Sequence, residues 1–193
     1  MYEFIRGAVT NLNPASIVVD AGGIGYFINI SLNTYSKVSG KQDVNLFIHQ
    51  VVREDAHVLY GFAERRERDL FRNLISVSGV GASTAIMMLS SLNPDEIAVA
   101  VATGNVDVLK AVKGIGVKTA QRIIIDLKDK LGKMPESGQI LISPDNTLQN
   151  EALSPLVMLG FAKKDAEKAV SKIIKDDPEA TVERVIKTAL KRL

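Results

Sequence analysis

Residues 109–131 read LKAVKGIGVKTAQRIIIDLKDKL: a short helical segment, a tight turn at Gly114-Ile115-Gly116, and a second, longer helical segment. Glycine reaches positive φ at little cost and carries no Cβ, so both glycines are expected to let a large ligand approach the main chain while Ile115 points back between the helices. Beyond the turn, Val117-Lys118-Thr119-Ala120 opens a helix whose first amides lack intrahelical acceptors and whose dipole end is positive. A helix start of this kind holds anions, phosphate above all. Lys118 and Arg122 stand four residues apart, on one face, and extend the same positive surface.

The pattern occurs twice. Residues 74–86 read LISVSGVGASTAI and residues 109–121 read LKAVKGIGVKTAQ, with Leu, Val, Gly, Gly, Thr and Ala at matching places. This is an internal duplication. Two copies related by a local two-fold would offer one phosphate cradle to each strand of a duplex, and contacts to phosphate carry no sequence information. The expected ligand is therefore nucleic acid held by its backbone. Gly-Ile-Gly-Val-Lys-Thr resembles the tail of a nucleotide-binding P-loop, but that loop needs Gly directly before Lys, and Val117 stands there. ATP binding is not expected. For a single copy, a glycine turn that merely closes a helical hairpin would explain the residues equally well; the pair favours binding.

Composition narrows the classes further. Of 193 residues, 46% are hydrophobic and 24% charged, the balance of a soluble globular protein. There is no Cys, so disulfides, thiolate metal sites and thiol nucleophiles are excluded. His49 and His57 are the only histidines, which leaves few parts for a metal site or a catalytic triad. No metal, cofactor or catalytic residue is called for. No apolar run is long enough for a membrane span, and the start MYEFIRG lacks the pattern of a signal peptide, so the expected location is cytoplasmic. A net charge of +2 is too small to announce a DNA binder. Local arrangement has to do so: residues 1–62 hold four Lys/Arg against five Asp/Glu, and residues 63–131 hold ten against eight.

Taken in order, residues 2–10, 15–20, 24–32, 44–52 and 57–62 are short, rich in β-branched and aromatic residues, and separated by turn chemistry such as Asn13-Pro14 and Gly22-Gly23. Five such strands predict a small closed barrel of the OB-fold kind. Tyr26, Phe27, Phe47, Tyr60 and Phe62 are candidates to stack on bases, with the barrel core as their ordinary use. Between the last two strands, Arg53-Glu54-Asp55-Ala56 reads as a polar hairpin tip. Beside a DNA-binding module, Glu54 and Asp55 would repel phosphate, keeping duplex at a distance or wedging between parting strands.

From residue 64 the period changes to helical: 64–79, then 82–91, then 94–103 behind an Asn93-Pro94 cap, then 106–111 and 117–131. Residues 132–149 show no sustained period and read as a linker. Residues 150–193 give three short helices with a thin core. The expected fold class is thus α+β multidomain: an N-terminal OB-fold β-barrel (1–63), a central all-α tandem helix-hairpin-helix domain (64–131), the linker (132–149) and a C-terminal three-helix module (150–193). A tethered module of that size suits recruitment of a partner.

With these parts in place, the chain resembles, from end to end, the RuvA family of Holliday-junction-binding subunits of bacterial branch-migration complexes. The most specific matches are VVREDAHVLYGF (51–62), SGVGAS (78–83), KGIGVKTAQRIIIDLKDKL (113–131) and LGF (159–161). The resemblance implies that backbone amides and basic side chains of the hairpins hold the minor-groove face of each junction arm. Those roles fall on Gly79, Gly81, Gly114, Gly116, Lys118, Thr119 and Arg122. Ser83 stands where the family often has Lys, which removes a charge and leaves a hydroxyl to reach phosphate. Glu54 and Asp55 would form the acidic pin near the centre of a homotetramer, or of an octamer of two tetramers on DNA. The C-terminal module would contact the RuvB hexameric ATPase, with the RuvC resolvase in the same complex, in recombination, DNA repair and the SOS response. Leu156, Leu159, Phe161 and Leu190 are its candidate motor contacts. Two other functions compete: a general duplex-binding architectural protein, and a repair nuclease or glycosylase built on the same hairpins. A hydrolytic nuclease would want carboxylates clustered around metal ions, and no third ligand is evident beside Glu54 and Asp55.

Overall fold

The computed structural model describes residues 2–131, 144–177 and 180–192. It divides into two compact units, Met1–Met134 and Pro135–Leu193.

The first unit begins with a closed five-stranded barrel of strand order β1-β2-β3-β5-β4. Its strands are β1 (Phe4–Asn13), β2 (Ser16–Ala21), β3 (Ile24–Ile30), β4 (Asp43–Val52) and β5 (His57–Phe62). Strand β1 is shared: its first half pairs with β4, in register Phe4 to Phe47, and from Ala8 onward it pairs with β2, a ladder interrupted by an irregularity between Val9 and Asn11. Closure comes from the one parallel pairing, β3 with β5. Inward positions alternate as a pleated strand requires: Ile5, Ile17, Val19, Ile28, Ile30, Val44, Leu46 and Ile48 fill the barrel. A helix missing from the expected list, α1 (Leu32–Val38), joins β3 to β4. Strand β3 therefore ends at Ile30 rather than running to residue 32, because the Ser31 side chain accepts from the Thr34 amide and starts the helix.

Five helices follow: α2 (Arg65–Ile75), α3 (Ala82–Ser91), α4 (Pro94–Thr103), α5 (Val106–Lys110) and α6 (Val117–Leu131). Asn93 and Glu96 form a full capping box at the start of α4, and Gly104 ends it in the left-handed region. Barrel and helices share one core. Tyr60 and Phe62 of β5 lie with Leu70, Phe71, Leu74, Met88 and Leu89 in a single buried cluster, and the rings of Tyr60 and Phe62 each approach Phe71 to 5.0 Å.

A buried polar joint reinforces this contact. Both Ser31 and Thr34 donate through their hydroxyls to the Glu67 carboxylate, Thr34 at 2.8 Å, and the Ala63 amide donates back to the Thr34 hydroxyl at 3.0 Å. Burial pushes the Glu67 carboxyl above its usual range, against the two hydroxyl hydrogen bonds. Next to it Arg68, only 3% exposed, donates to the Glu3 carboxylate at 2.5 Å and lies over the Phe47 ring at 5.5 Å. The candidate stacking aromatics therefore do not form one platform. Tyr60 and Phe62 are core, Phe47 is half-buried against Arg65 and Arg68, Tyr26 meets Tyr2 edge-on, and Phe27 alone of the five is fully on the surface.

The second unit holds α7 (Pro144–Met158), α8 (Lys163–Asp176) and α9 (Val182–Ala189) around Ala152, Leu156, Ala166, Val170, Ile173, Val185 and Ala189. The stretch expected as linker, 132–149, is shorter than expected at its far end, since α7 already begins at Pro144; residues 132–143 lie outside the described residues. Proline at a first helical position forfeits no hydrogen bond, so a turn-rich composition here conceals a helix start. No single helix among the described residues is long and apolar enough to cross a membrane.

Candidate nucleic-acid interface

The duplication seen in the sequence is a duplication in space. With an offset of 35 residues, the buried side chains Leu74, Val77, Val80, Ala85 and Met88 correspond to Leu109, Val112, Ile115, Ala120 and Ile123. The turns close alike. The Val80 amide donates to the Val77 carbonyl at 3.0 Å and the Ile115 amide to the Val112 carbonyl at 3.1 Å; Ala85 donates to Gly81, and Ala120 to Gly116, both at 2.9 Å. Val80 and Ile115 point inward and lock each turn to its helices, as expected for Ile115.

The two glycines of each turn differ in backbone angle. Only the first of each pair lies in the left-handed region, Gly79 at φ 91° and Gly114 at φ 89°. Gly81 is the residue before α3, with φ −83° and ψ 168°, angles that any residue adopts. A Cβ built on any of the four, Gly79, Gly81, Gly114 or Gly116, would meet no protein atom within 4 Å. The fold thus explains Gly79 and Gly114 by their backbone angle, yet places no steric demand on Gly81 and Gly116. Both positions leave the main chain open to close approach from outside.

The helix start behind the first turn has no side-chain cap. Where α1, α4, α5 and α9 have their first amides met by a Ser, Asn or Thr side chain, Gly81 offers none to α3, just as Glu64 offers none to α2 and Ala162 none to α8. Those amides are left for water or an anion. Ser83, Lys118 and Arg122 are exposed and Thr119 is half-buried. Arg122 reaches across to the other hairpin, its guanidinium donating to the Ser78 carbonyl at 3.2 Å, and Lys130 donates to the Ser76 hydroxyl at 3.0 Å. Among the described residues Lys113 and Lys118 have no carboxylate partner. Lys113, exposed beside the second turn, is not among the residues that the sequence singles out. Its signal is its place directly before Gly114, matching Ser78 before Gly79.

The acidic tip closes as a tight hairpin, the Arg53 amide donating to the Ala56 carbonyl at 2.8 Å beyond the last pair, Val52 with His57. Glu54 and Asp55 are exposed at its end. Among the described residues no three His, Cys, Asp or Glu side chains are grouped to hold a metal ion. In the second unit one candidate contact must be withdrawn: Leu156 is 0% exposed and belongs to the core. Leu159 (63%) and Leu190 (42%) are exposed, Phe161 is half-buried, and Met158 (86%) and Val157 (40%) are exposed apolar residues that the helical period alone did not separate from the core.

Three family models match successive parts of the chain: the RuvA N terminal domain over residues 1–61, a SAM-like helix-hairpin-helix tandem over 71–129, and the RuvA C-terminal domain over 147–193. Curated relatives match over the whole of both chains. Those from Bacteroides fragilis (51% identical over 201 residues), Christiangramia forsetii (51% over 193) and Porphyromonas gingivalis (48% over 202) are each named Holliday junction branch migration complex subunit RuvA. The chain belongs to the RuvA family. In this RuvA-family chain the N-terminal match falls on the barrel and its acidic tip, and the tandem match on both glycine turns. The C-terminal match starts at residue 147, inside α7.

Proposed function

We propose that this chain binds four-way DNA junctions as a ring of four subunits, as the DNA-binding subunit of a branch-migration complex acting in recombination and repair. Each subunit gives its two hairpins to the two strands of one arm, the open amides and the cations Lys118 and Arg122 meeting phosphate, so that grip is independent of sequence. Four equivalent arms are matched by four equivalent subunits. Avidity over the arms lets the affinity of one subunit be modest. The acidic tips, Glu54 and Asp55, gather at the crossover and repel continuous duplex there while the arms stay held. The exposed apolar residues of the second unit, Leu159, Leu190, Met158 and Val157 with Phe161 beside them, contact the RuvB hexameric ATPase, and RuvC resolves the same junction. Residues 1–63, 64–131 and 150–193 serve as barrel, grip and motor contact. The chain itself carries no catalytic residue in this reading.

What supports it is the doubled hairpin, with two turns of one geometry whose second glycines the fold alone does not require. The test compares a four-way junction with linear duplex of equal length, alongside native mass with and without junction. The junction is expected to bind at least about tenfold tighter, a difference of about 1.4 kcal/mol, and to carry four or eight subunits. Equal affinity would leave a general duplex-binding protein. Replacing Glu54→Gln together with Asp55→Asn should narrow the preference for junction over duplex; an unchanged ratio would reduce the tip to an ordinary turn.

A further inference from the structure

Helix α8 carries Lys164, Lys168, Lys172 and Lys175. At 3.6 residues per turn these four lie within an arc of about 80° and span about 16 Å of helix. All four are exposed, and they line an open groove of about 570 Å³ between α8 and the Gln149 side of α7. Glu167 and Ser171 complete the groove, and Gln149 donates to the Ser171 hydroxyl at 2.8 Å. The acids nearby are engaged elsewhere: Glu167 with Lys163 at 3.8 Å, Asp176 with Arg192 at 3.5 Å and Asp177 with Arg184 at 3.3 Å. Asp165 sits about 100° round the helix from Lys164. Among the described residues the four lysines have no carboxylate partner.

Such a stripe is not what folding alone selects. Lysines four apart on one face repel one another. Lys163 and Lys164 occupy the first two positions after Ala162, at the positive end of the helix dipole, where a cation is disfavoured. The module bearing this cost has a small core.

We infer that the α8 lysine stripe is a second DNA-binding surface, which lies along the phosphate backbone of duplex DNA without reading bases. The spacing suits the ligand. Duplex presents one negative charge per about 1.7 Å of axis, so a 16 Å row of cations faces a continuous line of phosphates. The uncharged polar side chains of the groove, Gln149 and Ser171, are bonded to each other. The inference rests on the reading that this chain holds duplex arms, which places duplex at high effective concentration around every part of it.

The experiment uses the full chain and a variant with Lys164→Gln, Lys168→Gln, Lys172→Gln and Lys175→Gln, each titrated with a four-way junction between about 50 and 200 mM salt, the range over which phosphate contacts show. Each lysine released from phosphate lowers the slope of log affinity against log salt by about 0.9. The variant's slope is therefore expected to be shallower by about 3 to 4. Its loss of affinity over that range should be about a hundredfold smaller than the parent's. An unchanged slope overturns the proposal, and an unchanged slope with lost stimulation of the RuvB motor assigns the stripe to an acidic protein surface instead. Failure of the parent chain to bind junctions would sink the parent reading, a different result. A second readout needs no variant: on the unaltered protein, the four lysines should be shielded from an amine-acylating reagent by bound junction DNA, while Lys191 is not. Equal labelling with and without DNA refutes the stripe.

Discussion

The two hairpins share a backbone and differ in what they show to solvent. Position for position, Ser78, Ser83 and Met87 of the first face Lys113, Lys118 and Arg122 of the second, while turn angles and closing hydrogen bonds agree. The lesson is that, under the proposed function, two kinds of grip are separable. Main-chain amides are fixed by the fold and appear twice; side-chain charge is a surface choice and appears once. Arg122 partly evens the balance, because its guanidinium sits against the first turn's carbonyl at Ser78 rather than over its own helix.

The largest effect should come from the shared part. Gly116→Val and Gly81→Val each place a Cβ where no protein atom lies within 4 Å, so folding should survive while the amides are covered. Losing one or two charged hydrogen bonds of about 1.5–3 kcal/mol each weakens junction binding by at least tenfold, measurable by titration beside a normal melting curve. Similar losses from both hairpins would confirm that amides count equally in each; retained binding in both would refute the cradle. Gly114→Val confounds the two causes, since a β-branched residue at φ 89° is strained by about 1–3 kcal/mol on its own.

Arg122→Ala comes next. It removes a cation from the second hairpin and a donor from the first, so the salt slope should fall by about 0.9 with an added loss of affinity beyond that of Lys118→Ala. If the two alanine variants behave alike, the bridge to Ser78 is incidental. Lys118→Ala should lower the slope by about 0.9, whereas Ser83→Ala should leave it unchanged. The smallest and sharpest change is a gain: Ser83→Lys puts the missing charge on the first hairpin and should steepen the slope by about 0.9. No change there would mean that Ser83 does not face phosphate.

Much of this was legible in the sequence because the signals were local. Leu-x-x-Val-x-Gly-x-Gly repeated at one offset fixes two turns, and Asn93-Pro94-x-Glu96 announces a helix start within four residues. The unread parts depend on groups far apart in the chain. Helix α1 has seven residues, too few for a period; it is held by Glu67 and by Asn33, whose side-chain amide donates to the Leu92 carbonyl at 3.1 Å. At the end of α7 and in the turn after it, Leu156 and Leu159 look alike as apolar letters, and only the packing of α8 and α9 separates core from surface. The contact from Arg122 to Ser78 joins residues 44 apart.

The joint at Glu67 has a consequence for how the molecule does its work. A carboxyl raised by burial stabilises the fold below its ordinary range, and the contribution is lost as pH rises through the shifted value. Glu67→Gln should therefore flatten the dependence of melting temperature on pH above that range, and an unaltered profile would show that the carboxyl does not report on the joint. The shared aromatic core also binds barrel to helices, whatever the charge on Glu67. Pin and grip are thus cast in one piece, and a tool cast in one piece cannot wrap its work: under the proposed function it is the DNA that bends to the protein's angles and bears the work of deformation.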